Sequence, residues 1–126
     1  MIREVYIKVY MKGVIMLNIS KMSNESIIYF YAVDGNTPVG CSEVTISDGG
    51  TVGYYNRLFV QPNYRKQGIG RKLWDMTQKE LDTRGIDLII DINPYGDMTY
   101  EQLLHFYASD QTRETESGWY RVAKVE

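Results

Sequence analysis

Arg65, Lys66, Gln67, Gly68, Ile69, Gly70 and Arg71 form the segment of this chain best suited to hold a ligand. Three of the seven are cationic and two are glycines. The segment follows Leu58-Phe59-Val60-Gln61-Pro62, where an apolar strand runs into a proline that lacks an amide donor and cannot continue the ladder. Gly68 and Gly70 allow a ligand to approach the backbone closely, and the helix expected from Ile69 aims its free amides back at the turn. Such a device suits a pyrophosphate. A Walker A loop requires Ser or Thr after Gly-Lys, whereas Gly70 is followed by Arg71-Lys72-Leu73. A dinucleotide fingerprint requires a third glycine where Leu73 stands. It also requires a parallel half-domain, and the strands preceding this turn read as antiparallel.

The flanking pattern supplies the elements that carry the turn. Residues 4–10 and 14–19 read as short strands about Lys12-Gly13, and 27–33 is aromatic and β-branched. Asp34-Gly35-Asn36 signals a hairpin into a strand at 39–46, and Ser47-Asp48-Gly49-Gly50 turns the chain into 51–60. In that last strand strict alternation groups Val52, Tyr54, Leu58 and Val60 on one face, with Tyr55, Arg57 and Phe59 on the other. From Ile69 the period becomes helical, with Ile69, Leu73, Met76 and Leu81 on one stripe and Gly85 at its end. Residues 86–92 form a buried strand parallel to 51–60 across this helix. A second helix opens at Met98-Thr99 with Tyr100, Leu103, Leu104 and Tyr107 on one face. The polar segment 110–117 reads as a loop, and Trp119–Ala123 as a closing strand. The fold class is mixed α/β: an antiparallel meander followed by a βαβ crossover.

At 126 residues, the chain has room for one core and is expected to be a single domain over 1–126. A net charge of −2 argues against general nucleic-acid binding, which requires a basic surface excess. Cys41 is the single cysteine, so no internal disulfide forms; a small buried strand residue is the expectation, in a reducing compartment. No apolar run reaches the ~20 residues that span a membrane. A cytoplasmic protein is expected, with no metal.

With Arg65, Gly68 and Gly70 spaced as Arg-x-x-Gly-x-Gly behind Leu58–Tyr64, the turn resembles the acyl-coenzyme A motif of the Gcn5-related N-acetyltransferase (GNAT) superfamily. The order of elements agrees with it over residues 27–109. The resemblance implies acetyl-coenzyme A as co-substrate and an amine acceptor, a small molecule or a protein lysine. It implies that amides of Gln67, Gly68, Ile69, Gly70 and Arg71 cradle the pyrophosphate, with Arg65, Lys66 and Arg71 adding charge. The strand ending at Val60 would splay from 86–92, and the pantetheine arm would pair with backbone at Phe59 and Val60. A homodimer is also implied, and the strands at both ends of the chain favour it.

Acetyl transfer requires the amine to lose a proton and the departing thiolate to gain one. Tyr107 stands where similar family members keep a tyrosine, and a phenol of pKa about 10 matches a thiolate in basicity. Tyr107 also completes an apolar stripe with Tyr100 and Leu103. Many relatives carry a glutamate in the strand before the motif, near Tyr55, Asn56 and Arg57; here none stands there, and Glu43 on the neighbouring strand is the candidate base. Tyr29, Tyr31 and Tyr55 would line the acceptor cleft.

The chain departs from the family pattern in three further places, one of them Gln111-Thr112, where family members tend to carry Gly-Phe after the tyrosine. Only 26 residues precede Ile27 and they read as strands, where the family places helices that wall the acceptor site. Pro94–Leu103 resembles compact stand-alone members found in bacteriophage genomes, some of which acetylate a lysine on a host defence protein. The alternative is a degenerate, non-catalytic module of this fold that binds coenzyme A or a protein partner.

Overall fold

The computed structural model describes residues 3–10, 16–47, 49–90, 102, 112–115 and 118–121, with side chains for 17–47, 49–89 and 102. Among these, the strands form one eight-stranded sheet. The meander comprises β1 (Arg3–Tyr10), β2 (Met16–Ser23), β3 (Ile27–Asp34), β4 (Thr37–Ile46) and β5 (Val52–Val60), each antiparallel to the one before. Helix α1 (Ile69–Arg84) then crosses to β6 (Asp87–Ile90), which lies parallel to β5. The sheet ends in β7 (Thr112–Thr115) and β8 (Gly118–Arg121), paired antiparallel with each other and through β8 with β6. The expected helix from Met98 to Tyr107 falls outside the described residues, apart from the helical Gln102.

Alternation in β3 sends Ile28, Phe30 and Ala32 to the α1 side, where all three are buried. They meet Ile69, Leu73, Trp74 and Leu81 of the helix, with Val44, Ile86 and Leu88 closing the core. Helix α1 ends as its sequence predicts. Gly85 takes φ 66°, its amide reaches the carbonyls of Asp82 and Leu81, and Ile86 N–H returns to Leu81 O at 3.0 Å. Lys21 Nζ and Arg84 Nε both hold Glu80, fixing the helix against β2.

Two expectations are corrected. Segment 110–117 is not wholly loop, since Thr112–Thr115 is a strand whose Thr115 pairs directly with Gly118. Ladder bonds come from the backbone, so a polar edge strand with β-branched threonines at both ends needs no apolar alternation. The faces of β5 also differ from strict alternation. Tyr55 opposes Val44 and Arg57 opposes Glu43, which leaves Asn56 as the extra residue of a β-bulge. The bulge resets the alternation, so Tyr55 joins Leu58 and Val60 on the core side while Tyr54 is 48% exposed.

Candidate functional site

The chain leaves β5 through a short 3₁₀ turn, Pro62–Tyr64, that is anchored at several points. Gln61 N–H bonds Val39 O at 2.8 Å, and Tyr64 N–H returns to Gln61 O at 2.9 Å. The Tyr64 hydroxyl donates to Asp34 Oδ2 at 3.2 Å, reaching the β3–β4 hairpin. Arg65 Nε donates to Val60 O at 2.9 Å and folds the first cation back onto the strand end. Desolvation, then the hydrogen bond to Asp34 and its charge, raise the Tyr64 phenol above its ordinary pKa. These contacts hold the turn in shape before any ligand arrives.

Two positive φ values follow: Lys66 at 65° and Gly68, the residue before the helix, at 86°. Glycine carries no steric penalty there, but lysine does, and such strain concentrates where a backbone must present itself to a ligand. No side chain caps α1 and no acidic residue stands in its first turn. The first intrahelical bond is Lys72 N–H to Gly68 O at 3.0 Å, so the amides of Ile69, Gly70 and Arg71 precede the helical ladder. The positive end of the helix dipole is therefore uncompensated by any side chain of its own first turn.

Two further observations fit a ligand at this turn. A Cβ at Gly70 would meet only Val60 Cγ2, at 3.5 Å, which is ordinary contact. Packing therefore does not demand glycine there, whereas a phosphate seated against the helix start does. Gln67 Oε1 is shielded from solvent with no hydrogen-bond partner among the described residues, leaving an acceptor for a ligand donor. The residues fit coenzyme A: amides and cations for pyrophosphate, and a buried acceptor beside them.

The parallel ladder between β5 and β6 runs from Val52–Asp87 to Tyr55–Ile90. Beyond it β5 continues to Val60 with β4 as its one strand partner among the described residues. Phe59 and Val60 lie in this extension, directly before the turn. Phe59 carries the guanidinium of Arg57 at 5.2 Å from its ring centre and that of Arg65 at 6.0 Å.

The sheet face opposite α1 brings together polar groups from three strands. Pairing sets Tyr29, Glu43 and Arg57 in one row and Tyr31, Cys41 and Phe59 in the next. Tyr29 and Tyr31 are 5.7 Å apart between ring centres. Glu43 Oε2 accepts a bond from Asn56 Nδ2 at 3.1 Å, and the same amide also contacts Thr45 Oγ1. Burial raises the Cys41 thiol above its ordinary pKa against the opposing pull of Arg57 and Tyr29. Burial likewise raises Tyr29, helped by Cys41 and Glu43.

Of the residues expected from sequence, 65–68 form the turn that follows Phe59 and Val60, 69–71 open α1, and Glu43 sits on the far face of the sheet from α1. Tyr29 and Tyr31 share that face with Glu43. Tyr55 does not: it stacks on Trp74 of α1 at 5.3 Å, and its hydroxyl lies 2.6 Å from buried Ser42 Oγ. Tyr107 lies outside the described residues. Sequence reasoning missed Asn56 as the partner of Glu43, because only strand pairing reveals the bulge that aims it. It also missed Trp74 and Thr77 on the buried stripe of α1, where an indole and a hydroxyl stand among the expected aliphatics.

A curated relative, an IAA acetyltransferase of Azospirillum brasilense, is 29% identical over 75 residues, which is 60% of this chain; the chain spans about half (49%) of that relative's length. Among solved structures, the ribosomal-protein-S18-alanine N-acetyltransferase from Escherichia coli aligns with a TM-score of 0.61 at 16% identity, over 82% of this chain and 74% of that one. The PaiA N-acetyltransferase from Thermoplasma acidophilum, solved in complex with coenzyme A, aligns with a TM-score of 0.58 at 19% identity, over 79% and 62%. These structural likenesses show the fold. The sequence profile of the acetyltransferase (GNAT) family matches residues 6–109, through the meander, the glycine turn and the crossover helix, and the chain belongs to that family.

Proposed function

We propose that the protein is an N-acetyltransferase that takes its acetyl group from acetyl-coenzyme A and delivers it to a primary amine by direct attack within a ternary complex. The observation that carries this reading is the uncapped start of α1 behind a turn fixed by Tyr64 and Arg65. The amides from Gln67 to Arg71, with Lys66 and the outer nitrogens of Arg65, would hold the pyrophosphate. The β5 backbone at Phe59 and Val60 would pair with the pantetheine arm. Acetyl-coenzyme A, when bound, supplies an acyl carbon activated as a thioester.

The chain's own part in the chemistry is proton handling. Glu43, oriented by Asn56, takes the proton the amine must lose before its nitrogen bonds the acyl carbon. Tyr107 gives its proton to the sulfur as the carbon–sulfur bond breaks. Small-molecule amines and protein lysines are both acceptor classes consistent with the family. The absence of a glutamate at 55–57 favours one alternative, a non-catalytic module that retains coenzyme A binding.

Calorimetric titration with acetyl-coenzyme A, with a nicotinamide dinucleotide as control, tests the donor side. Micromolar binding of the thioester alone is expected, followed by thiol release with an amine panel. Binding without turnover on any amine would move the module into first place, and no binding would remove the donor assignment.

A further inference from the structure

Glu43 and Arg57 stand directly opposite each other on β4 and β5, with Tyr29 completing their row. Opposite charges in such a position ordinarily pair across the strands. Among the described residues Arg57 forms no ion pair, and each charge is held by a different neighbour. Asn56, displaced by the bulge, takes Glu43 Oε2, while Arg57 lies over the ring of Phe59. A guanidinium whose near neighbour is an aromatic ring 5.2 Å away rather than a carboxylate keeps its N–H donors for a planar anion, and Glu43 keeps a second oxygen for a cation. A carboxylate and a guanidinium thus stand side by side on one aromatic-bordered face, each positioned and neither consumed by the other.

We propose that this row is an acceptor subsite for a zwitterionic amine, one carrying a carboxylate beside its ammonium as an amino acid does. The ammonium sits at Glu43 and Tyr29, and the carboxylate lies along the Arg57 edge. The proposal rests on the acetyl-transfer reading above for its position, since Asn56 adjoins Tyr55, where the β5–β6 ladder ends. It adds that Arg57 determines specificity, preferring acceptors that carry an anion over simple alkylamines.

The test is a calorimetric titration of the coenzyme A-saturated full chain with three probes that share one ring: L-phenylalanine, phenethylamine and 3-phenylpropanoate. L-lysine against cadaverine repeats it without the ring. L-phenylalanine is expected to bind about tenfold more tightly than phenethylamine or 3-phenylpropanoate, and L-lysine about tenfold more tightly than cadaverine, the scale of one charge-assisted contact at a partly exposed site. Arg57→Gln should reduce the ratio between phenylalanine and phenethylamine to near one, and Arg57→Lys should restore part of it. Equal binding of the three probes overturns the proposal, as does binding of none or a preference that survives Arg57→Gln. Failure of acetyl-coenzyme A itself to bind is a separate result, and it strikes the acetyl-transfer reading instead.

Discussion

Arg65 donates its Nε to the carbonyl of Val60 at 2.9 Å, so the first cation of the glycine turn also latches that turn to the strand before it. Lysine cannot replace this bond and offer a second group to phosphate, because its charge and donors sit on one nitrogen. Arg65→Lys is therefore expected to cost about 1 kcal/mol of stability. It should also weaken acetyl-coenzyme A about tenfold. Urea melts and calorimetry read the two effects separately. A loss of stability with unchanged affinity would make Arg65 a latch alone.

Three glycines should respond differently to the same added methyl group. At Gly40 a Cβ would meet Phe59 O at 2.7 Å and Leu73 Cδ1 at 3.3 Å, a backbone clash, so Gly40→Ala should lose about 2 kcal/mol. At Gly68 the φ of 86° makes alanine strained by about 1–2 kcal/mol. At Gly70 the added carbon meets only Val60 Cγ2, so Gly70→Ala should stay within about 1 kcal/mol of the parent. Gly70→Glu should then remain folded but lose acetyl-coenzyme A, since it sets bulk and negative charge at the helix start. Circular dichroism and calorimetry on the set check this, and unaltered affinity in Gly70→Glu would end the pyrophosphate assignment.

The glycine turn was legible because it needs unusual residues: a proline to stop a strand, a glycine at positive φ, and cations around them. Helix α1 was legible by period and by Gly85. What escaped depends on partners. The Asn56 bulge exists only in the pairing of β5 with β4, and it reverses the faces on which Tyr54 and Tyr55 stand. Strand β7 escaped because its bonds are backbone bonds, to which side-chain polarity is a weak guide. The separate restraints on Glu43 and Arg57 escaped for the same reason as the bulge, since one of them is made by the displaced residue.

Burial raises both Cys41 and Tyr29 in the folded chain, from ordinary values of 9.0 and 10.0. Each group is neutral at pH 7 in both states, and in alkali the unfolded chain loses these protons first. Their contribution is thus complete below pH 9 and is lost as pH rises through the folded values. Urea midpoints are expected to hold from pH 7 to 8.5 and fall above 9. Cys41→Ala should delay the onset toward the tyrosine range, and an identical alkaline profile in that variant would refute the assignment to Cys41.

Glu43→Gln and Tyr107→Phe separate the two proposed proton transfers. If Glu43 accepts the amine proton, its amide variant should be most impaired at low pH, where the free amine is scarce, and should approach the parent as pH rises. If Tyr107 protonates the thiolate, the phenylalanine variant should lose about 100-fold in kcat with little change in acetyl-coenzyme A affinity. Rates across pH 6 to 9.5 with a fixed amine distinguish them. A Glu43→Gln profile parallel to the parent's would clear Glu43 of base duty, and full turnover in Tyr107→Phe would remove the proposed acid.

Ser42, Tyr55 and Thr77 share a hydroxyl chain beneath the bulge, and its direction follows from proton counting. Thr77 Oγ1 donates its one hydrogen to Leu73 O at 2.8 Å, so it must accept from Ser42 at 2.6 Å, and Ser42 must accept from Tyr55 at 2.6 Å. Removing the middle member takes the donor from buried Thr77 and breaks the bond to Tyr55, so Ser42→Ala should cost about 1–3 kcal/mol. Tyr55→Phe deletes only the terminal donor and should cost about 1 kcal/mol. Because the two changes remove the same bond, the double variant should be less destabilised than the sum of the singles, and urea melts close the cycle. Strict additivity would show that Tyr55 is held by its stacking on Trp74 and that the chain contributes nothing to fixing β5 against α1.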